Sequence, residues 1–305
     1  MISICIPIYN FDVTKLVQVI HSQGQQLSVP YEIVLIDDCS DLVFQNKNEV
    51  VCNAHRYIIL EKNIGRSAIR NMFLKYAKHN YLLLLDCDGL IISNDFLEKY
   101  VACIMTGSPE IICGGREYDN TQVPRNKKLR WKYGVLKESL SLQTRLKSPN
   151  RSFMTNNFLI NRAVLSSIKF DERLTGYGHE DTLYGYELQK ANITIQHIYN
   201  PVLNGDVETN TIYLQKTETG LRNLLKILTY INYDPGFINN LKILTAWKKA
   251  QAWHVTGIIR AAFWLTGPFV RMLLAKGYVN LKMFDFYKLG YLVEINSRKT
   301  DAPKI

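Results

Sequence analysis

Short apolar runs alternate with amphipathic stretches through residues 1–115, and this alternation limits what the chain can fold into. The runs are Ile2–Ile8, Tyr31–Ile36, Tyr57–Leu60, Tyr81–Leu85 and Glu110–Cys113. Runs that are apolar at nearly every position, and not at alternate ones, are typical of strands buried on both faces. Strands separated by helices pair in parallel through right-handed crossovers. The pattern predicts an open, mostly parallel α/β sheet flanked by helices.

The stretches between the runs carry the signals of helices. Asp12 is a capping residue, and Gly24 can end the helix that it begins. Residues 117–150 are polar and basic, which predicts a mobile loop or irregular helices. The other expected elements are helices over residues 66–78, 93–105 and 182–191, strands over 152–161 and 193–197, and a long helical region from Ile212 onward.

Polar residues follow four of the predicted strands. They are Pro7–Asn10, Asp37–Ser40, Glu61–Gly65 and Asp86–Gly89. In open α/β sheets, ligands bind at the carboxyl ends of the strands. We therefore expect a ligand site at this edge of the sheet.

Asp86 and Asp88 follow the fourth strand and are separated by one residue. In an extended chain, residues i and i+2 point to the same side. Two carboxylates placed in this way can share one hard cation, Mg²⁺ or Mn²⁺, with the oxygens of a diphosphate. The alternative interpretation is a solvated strand end that only stops the sheet.

Two further segments suit a nucleotide. Asp38 follows the second strand and could accept a hydrogen bond from a ribose hydroxyl or a base, although aspartate is also an ordinary turn residue. Arg66 and Arg70 lie at the start of a predicted helix, where an anion is stabilised. Solvated arginines on an amphipathic helix are the alternative interpretation.

A second acidic segment runs from Gly176 to Asp181. Its two glycines allow the backbone to approach a ligand closely. Glu180 and Asp181 then begin a helix, where acidic side chains are also stabilised by the helix dipole alone. A structural or solvated role is the simpler interpretation of His179.

Positive charge is concentrated in the last third of the chain. The formal net charge is +10, of which residues 221–305 contribute +9 and residues 1–220 contribute +1. The basic third also contains Trp247, Trp253 and Trp264 among lysines and arginines, which is typical of helices that bind a membrane surface. The alternative is an appendage that buries its aromatic side chains. We expect a domain over residues 1–220 and a basic amphipathic helical extension over 221–305.

Cysteine usage and hydropathy bear on the compartment. None of the six cysteines forms a C-x-x-C pair, which favours buried thiols in a reducing compartment. No cationic segment precedes the apolar run at Met1, and Ala261–Val270 is shorter than the ~20 apolar residues of a membrane span. The expectation is a cytoplasmic protein, with or without contact to the inner face of the plasma membrane.

Six motifs occur in order over residues 1–220. They are Pro7-Ile8-Tyr9-Asn10, Asp37-Asp38-Cys39-Ser40, Asn63-Ile64-Gly65 with Arg70-Asn71, Asp86-Cys87-Asp88, Phe170-Asp171-Glu172 and Gly176-Tyr177-Gly178-His179-Glu180-Asp181. This set resembles the family-2 glycosyltransferases, which are inverting enzymes with the Rossmann-like GT-A fold. Cys39 stands where a small residue is usual, and Tyr177 stands where a tryptophan is common.

The resemblance implies a role for each matching position. It places the nucleotide at Pro7, Tyr9, Asn10, Asp38, Arg66, Arg70 and Asp86. It places Mn²⁺ or Mg²⁺ at Asp88 and Asp86, the catalytic base at Asp181 with Glu180 beside it, and the acceptor near Tyr177 and His179. Asn204 stands where relatives often carry a histidine ligand, and Asp206 could substitute for it.

The resemblance also implies a reaction. A hexosyl or N-acetylhexosaminyl group would move from a nucleotide-diphosphate donor, UDP foremost, to a hydroxyl of a glycan or lipid-linked acceptor in polysaccharide biosynthesis. Partners would be an anionic membrane surface and, as an open alternative, a second copy of the chain. Nucleic acid is not expected, because paired acids repel phosphates unless a metal intervenes.

Other function classes fit the sequence less well. A nicotinamide dehydrogenase needs G-x-G-x-x-G after the first strand, where this chain has Pro7-Ile8-Tyr9-Asn10. The P-loop motif is also absent from the sequence. A non-catalytic protein with the nucleotide-sugar fold, or one that binds nucleic acid or membranes, stays as the alternative.

Overall fold

A computed structural model describes residues 1–52, 55–119, 121, 123–205 and 207–301. Contacts divide the chain into two units. The sheet unit contains Met1–Asp119, Lys137–Thr175 and Glu180–Asp206, and the helical unit contains Asn120–Leu136, Gly176–His179 and Val207–Ile305. The domain boundary expected after residue 220 falls within a helix of the helical unit and stays a prediction.

The described residues form ten strands and thirteen α-helices. The strands are β1 (Ile2–Ile8), β2 (Tyr31–Asp37), β3 (Arg56–Ile59), β4 (Tyr81–Leu85), β5 (Gly89–Ile91), β6 (Ile111–Cys113), β7 (Arg116–Glu117), β8 (Asn157–Asn161), β9 (Gln196–His197) and β10 (Val202–Asn204). The helices are α1 (Thr14–Gly24), α2 (Leu42–Cys52), α3 (Arg66–Tyr76), α4 (Phe96–Gly107), α5 (Lys128–Tyr133), α6 (Leu142–Leu146), α7 (Arg162–Ser167), α8 (Glu180–Lys190), α9 (Asn210–Tyr230), α10 (Pro235–Asn240), α11 (Lys242–Ala252), α12 (Thr256–Ala275) and α13 (Leu281–Asp301).

The sheet unit is built on a seven-stranded sheet of order β3-β2-β1-β4-β8-β6-β9. All neighbouring pairs are parallel except those of β8, which runs antiparallel to β4 and to β6. A smaller sheet of order β5-β10-β7 adds one antiparallel and one parallel pair. The predicted α/β architecture, a mostly parallel mixed sheet flanked by helices with a helical C-terminal extension, is confirmed.

The central strands are buried on both faces, as their continuous apolar sequence predicts. In β1, Ile4 and Ile6 pack in one apolar cluster with side chains of α1 and α4. Cys5 lies between them in the sequence and packs in a second cluster with side chains of α3. Alternate residues of a strand point to opposite faces, so both clusters are formed by the same short run.

Several elements differ from the sequence prediction. The short strands β5, β7 and β10 and the helix α7 are not expected, and the strand expected over residues 193–197 is shortened to Gln196–His197. The sequence predicts no helix where the structure has α2. The reason is that its apolar side chains Leu42, Val43 and Val50 are exposed, so no periodic apolar stripe marks the helix in the sequence. The expected strand over residues 152–161 is shorter, since Asn150–Ser152 forms a 3₁₀ turn and β8 begins only at Asn157.

The helical unit has its own apolar core. Leu129 of α5, Leu214 of α9, Leu274 of α12 and Phe284 of α13 pack together there. Asn210 of α9 connects α5 with α12. Its side chain accepts a hydrogen bond from the backbone N–H of Leu129 and donates one to the carbonyl of Ala275. These contacts order the region that the sequence predicts only as helical.

Of the helices that the structure describes, one is long and apolar enough to cross a membrane by length and composition. It is α12, with a mean hydropathy of 1.4, and 17% of this segment is buried. The expectation that no segment reaches this length is therefore wrong. Arg260 interrupts the apolar run in the sequence but not the helix.

Candidate active site at the carboxyl edge of the sheet

The carboxyl ends of β1, β2 and β4 meet at one edge of the sheet. Ile8 pairs with Asp37 in register, and the N–H of Asp38 donates to the carbonyl of Ile8 at 2.8 Å. β4 is the neighbour of β1 on its other side, and Asp86 follows its last residue. Three of the predicted polar segments therefore leave neighbouring strands at the same edge.

The side chain of Asp38 forms hydrogen bonds with the protein backbone. Its carboxylate accepts from the N–H of Ile64 at 2.7 Å and from the N–H of Gly65 at 3.0 Å. The side chain is buried, and burial raises the pKa of Asp38 above its ordinary value although both hydrogen bonds oppose the shift. Asp38 thus holds the loop that leads into α3.

The residues after β1 differ in exposure. Tyr9 is 54% exposed, so its ring is available to a ligand. Asn10 has a positive φ of 49°, its N–H donates to Oγ of Ser40, and its side-chain oxygen accepts from the N–H of Asp41. Asn10 therefore joins the ends of β1 and β2, and Pro7 lies partly exposed within β1.

Arg70 connects two acidic segments that lie far apart in the sequence. Its Nη2 lies 2.9 Å from Oδ1 of Asp86, and its Nη1 lies 3.6 Å from Oε1 of Glu180. Arg66, one turn earlier on α3, lies 3.3 Å from the same Glu180 oxygen. Residues i and i+4 share one face of a helix, which is why both arginines reach this carboxylate.

The arginines decide which carboxylates are ionised. Burial opposes the charge on Asp86, but Arg70 and Arg66 outweigh it and hold the pKa of Asp86 below its usual value. The same balance lowers the pKa of Glu180. Both side chains are therefore anionic near neutral pH and act as partners of the arginines.

Asp181 has the opposite character. It lies in the first turn of α8, where its Oδ1 accepts from the N–H of Thr182 at 2.6 Å and from the hydroxyl of Thr182 at 3.2 Å. Burial and the negative charge of Glu180 raise the pKa of Asp181 from 3.8 to about 6. A carboxylate with this pKa accepts a proton readily at neutral pH.

Asp88 lies beside a third arginine, Arg116. Nη2 of Arg116 in β7 is 4.0 Å from Oδ1 of Asp88, and its Nη1 is 3.7 Å from Oε2 of Glu138. Burial and the charge of Asp86 raise the pKa of Asp88 above its ordinary value, with Arg116 opposing the shift. The protein therefore stabilises the ionised form of Asp88 less well than that of Asp86.

The pair Asp86 and Asp88 suits a divalent cation bound together with a substrate. No group of three or more His, Cys, Asp or Glu side chains forms a metal cluster among the residues with a described placement. Mg²⁺ and Mn²⁺ are nevertheless held in such sites by one or two carboxylates and by substrate phosphates. Asp88, whose ionised form the surrounding protein stabilises less well than that of Asp86, fits that donor set because a bound cation would stabilise it.

Asn204, which the family resemblance associates with the metal, lies close to the segment that contains Asp86 and Asp88. It pairs with Gly89 across β10 and β5, and the next residue, Gly205, donates its N–H to the carbonyl of Asp88 at 3.2 Å. Its side chain is buried. Asp206, the suggested substitute, lies outside the described residues.

Tyr177 and His179, predicted at the acceptor, belong to the helical unit. The carbonyl of Tyr177 accepts from Nδ2 of Asn223 at 3.2 Å, and Nζ of Lys216 lies 5.0 Å from the centre of the Tyr177 ring. Gly178 is needed between them, since its φ is +101° and a Cβ there would lie 3.0 Å from Cα of Gly220. The segment is therefore fitted closely to α9.

Two residues at the sheet edge are missed by the sequence interpretation. Arg116 follows Gly114-Gly115 at the end of a strand, and that position was its only signal. Asn156 precedes β8, and its carbonyl accepts from the N–H of Asp86 at 3.0 Å. No motif marks Asn156, because β8 is antiparallel and brings its beginning, not its end, to this edge.

Comparisons with known proteins agree with this architecture. Residues 3–168 match the family model described as Glycosyl transferase family 2. The chain is 24% identical to a chondroitin synthase of Escherichia coli over 62% of the chain and 32% of that protein. It is 28% identical to a hyaluronan synthase of Pasteurella multocida over 54% of the chain and 20% of that protein, so it spans a third or less of these relatives.

Solved structures resemble this chain over its whole length. One of them is a mannosyltransferase from Pyrobaculum calidifontis in complex with GDP-Man and Mn²⁺, with a TM-score of 0.56 and 12% identity. The match covers 100% of this chain and 88% of that structure. At this identity the likeness concerns the fold.

Proposed function

The chain belongs to glycosyl transferase family 2, and from that premise we propose that it transfers a sugar from a nucleotide diphosphate to an acceptor hydroxyl with inversion. One observation carries the proposal. Arg70 joins the Asp86–Asp88 motif to the helix that begins with Glu180 and Asp181, although the segments are almost a hundred residues apart. This contact supports a single site that combines a donor-binding pair with a general base.

The donor is proposed to be a nucleotide-diphosphate sugar, with UDP as the first nucleotide to test. The exposed ring of Tyr9 is available for stacking on a base, and Pro7 and Asn10 lie on the same strand end. Arg66 is 45% exposed and can turn towards a diphosphate, whereas Arg70 is only 2% exposed and holds carboxylates. The complex of the Pyrobaculum enzyme with GDP-Man supports this class of donor.

A divalent metal, Mn²⁺ or Mg²⁺, would be held by Asp88 together with Asp86. When bound, it supplies positive charge to the diphosphate as that group leaves, an effect worth several kcal/mol. Asp88 is the side chain available for this role, since Asp86 already forms the shorter ion pair with Arg70. Asn204 could contribute its side-chain oxygen from β10.

Asp181 is proposed as the base. It takes the proton of the acceptor hydroxyl while the hydroxyl oxygen bonds to the anomeric carbon and the bond from that carbon to the diphosphate breaks. A single displacement inverts the anomeric centre and needs no covalent intermediate. Thr182 keeps the Asp181 carboxylate in place through two hydrogen bonds, and Glu180 raises its basicity.

The acceptor is proposed to be a hydroxyl of a glycan or of a lipid-linked molecule. The sugar would be transferred to it at the cytoplasmic face of a membrane. The helical unit supports this, because α12 exposes several large apolar side chains. They are Ile258 (70% exposed), Trp264 (78%), Leu265 (73%), Phe269 (59%) and Met272 (41%). Ile258, Leu265, Phe269 and Met272 follow one another at intervals of seven, four and three residues, which places them on one stripe of the helix, and Trp264 lies at the side of this stripe.

Charge favours anionic lipid as the partner of this stripe. Exposed lysines occur on either side of α12 in the sequence, at positions 248, 249, 276 and 282, and α12 itself contains no acidic residue. Its two arginines, Arg260 and Arg271, form ion pairs with Glu294 and Glu218, so the lysines supply the uncompensated charge. Tryptophan beside lysine and arginine is typical of helices that lie in a membrane interface. Basic residues near an anionic surface contribute about 1 kcal/mol each.

Nucleotide binding tests the donor proposal first. Thermal unfolding would be followed with UDP, GDP, CMP and NAD, each with and without Mn²⁺, for the natural chain and Asp88→Ala. We expect one nucleotide to raise the Tm in the presence of Mn²⁺ and the variant to lose that increase. If none of the four changes the Tm, the result would point to a non-catalytic member of the fold or to a binding protein, and RNA and lipid vesicles would be examined next.

A further inference from the structure

Asn156 carries a polar side chain that is buried and unused by the protein. The residue is 4% exposed, and neither its side-chain oxygen nor its side-chain nitrogen has a hydrogen-bond partner. Buried amide groups are satisfied in the great majority of cases, because an unpaired one keeps its full desolvation cost. The side chain of Asn156 therefore has hydrogen-bonding capacity that the protein leaves unsatisfied and that a ligand can satisfy.

The position of Asn156 indicates which ligand. Its carbonyl accepts from the N–H of Asp86 at 3.0 Å, so its backbone is attached to the first residue of the Asp86–Asp88 motif. A donor diphosphate held at that motif carries its sugar on the adjoining phosphate. The residues next to the motif are consequently those that a transferred sugar meets.

We propose that Asn156 binds the ring substituents of the donor sugar, a proposal that rests on the function proposed above. A side-chain amide offers one acceptor oxygen and one donor NH₂ group. Neighbouring hydroxyls of a hexose, or an acetamido group, present the complementary acceptor and donor. Asn156 then distinguishes the sugar from the bare nucleotide diphosphate and contributes to the choice between sugars.

Asn157 provides a matched control beside it. Its Oδ1 accepts from the hydroxyl of Tyr100 at 2.7 Å, and its Nδ2 donates to the carbonyls of Gly115 and Asn200 at 3.1 and 2.8 Å. This amide is buried and fully used inside the protein. Two consecutive asparagines thus have opposite roles, one structural and one directed to a ligand.

The test compares Asn156→Ala with Asn157→Ala in two measurements. The first is the Tm without ligand, which we expect Asn156→Ala to leave unchanged and Asn157→Ala to lower, because only the second breaks hydrogen bonds. The second is the Kd for UDP and for UDP-glucose and UDP-N-acetylglucosamine with Mn²⁺. We expect Asn156→Ala to bind UDP normally and the preferred UDP-sugar about tenfold more weakly.

Each other outcome has a definite meaning. A fall in the Tm of Asn156→Ala, reproduced by the similarly sized Asn156→Leu, would mean that the amide is a structural group and would overturn the proposal. Unchanged affinity for both UDP-sugars, with UDP binding intact, would also overturn it and would point to a buried water. If the natural chain binds none of UDP, GDP and their sugars, the proposed function itself fails, and that result is separate from these.

Discussion

Arg70 and Asp86 form a buried ion pair, with Nη2 of Arg70 2.9 Å from Oδ1 of Asp86 and only 2% of the arginine side chain exposed. Because the same guanidinium also faces Glu180, one cation compensates two anions. The contact fixes α3, the end of β4 and the start of α8 relative to one another. It also leaves Asp88 as the less compensated member of the acidic pair.

Removal of Arg70 should be strongly destabilising. Arg70→Ala leaves Asp86 and Glu180 buried without this partner, and the loss of one member of a buried pair costs about 3–5 kcal/mol in the free energy of unfolding. Arg66→Ala is the control, since Arg66 faces the same Glu180 but is 45% exposed, and a cost of about 1 kcal/mol or less is expected. Denaturant unfolding measures both, and equal losses in the two variants would contradict the assigned roles.

Asp181→Asn should remove transfer and retain donor binding. The amide cannot take the acceptor's proton, and general bases contribute typically about 10²–10⁴-fold to the rate. The variant keeps the size of the side chain and the uncharged state that burial favours, so the Tm should not fall. Single-turnover transfer and nucleotide titration check this, and near-normal turnover would remove Asp181 as the base.

Activity should rise with pH through about 6. Only ionised Asp181 acts as a base, and its pKa is raised to about 6 by burial and by Glu180. The rate at limiting substrate, kcat/KM, should therefore be low below this pH and level above it. A profile that is flat between pH 5 and 7 would show that another group accepts the proton.

Stability should respond to the same group in the opposite direction. Because folding raises the pKa of Asp181 from 3.8 to about 6, the native state binds this proton more tightly than the unfolded state. The contribution of Asp181 is fully present below about 4 and is lost as the pH rises through about 6. Asp181→Asn should lack that loss, and denaturant titrations of both proteins at pH 4, 5, 6 and 7 would show a constant difference if the assignment is wrong.

The apolar stripe of α12 should bind anionic vesicles. We expect co-sedimentation with phosphatidylglycerol vesicles at low salt, weaker binding to phosphatidylcholine, and a clear loss in a Trp264→Glu, Leu265→Glu double variant. Leu42→Glu in α2 is the control, because Leu42 is 71% exposed but lies in the sheet unit. Binding that survives the double variant would contradict the proposal, and a concentration-dependent dimer lost in that variant would make a second copy the partner instead.

The sequence by itself determined the α/β class and the acidic motifs, and it predicted that polar segments gather at the carboxyl edge of the sheet. Local sequence suffices for these features, because continuous apolar runs specify doubly buried strands and polar residues must follow where such strands end. The family resemblance rested on the same segments. The helix α2 is not predicted from the sequence, because its apolar side chains Leu42, Val43 and Val50 are exposed and give no periodic pattern of burial.

Only the tertiary structure decided how the motif residues are used. Asp38 and Arg70 match positions for a nucleotide, yet the fold uses Asp38 to hold the loop before α3 and Arg70 to hold two carboxylates. Asn156 reaches the sheet edge because β8 runs antiparallel to β4. Hydrogen-bond partners and burial depend on chain segments a hundred residues apart, and no local pattern in the sequence encodes them.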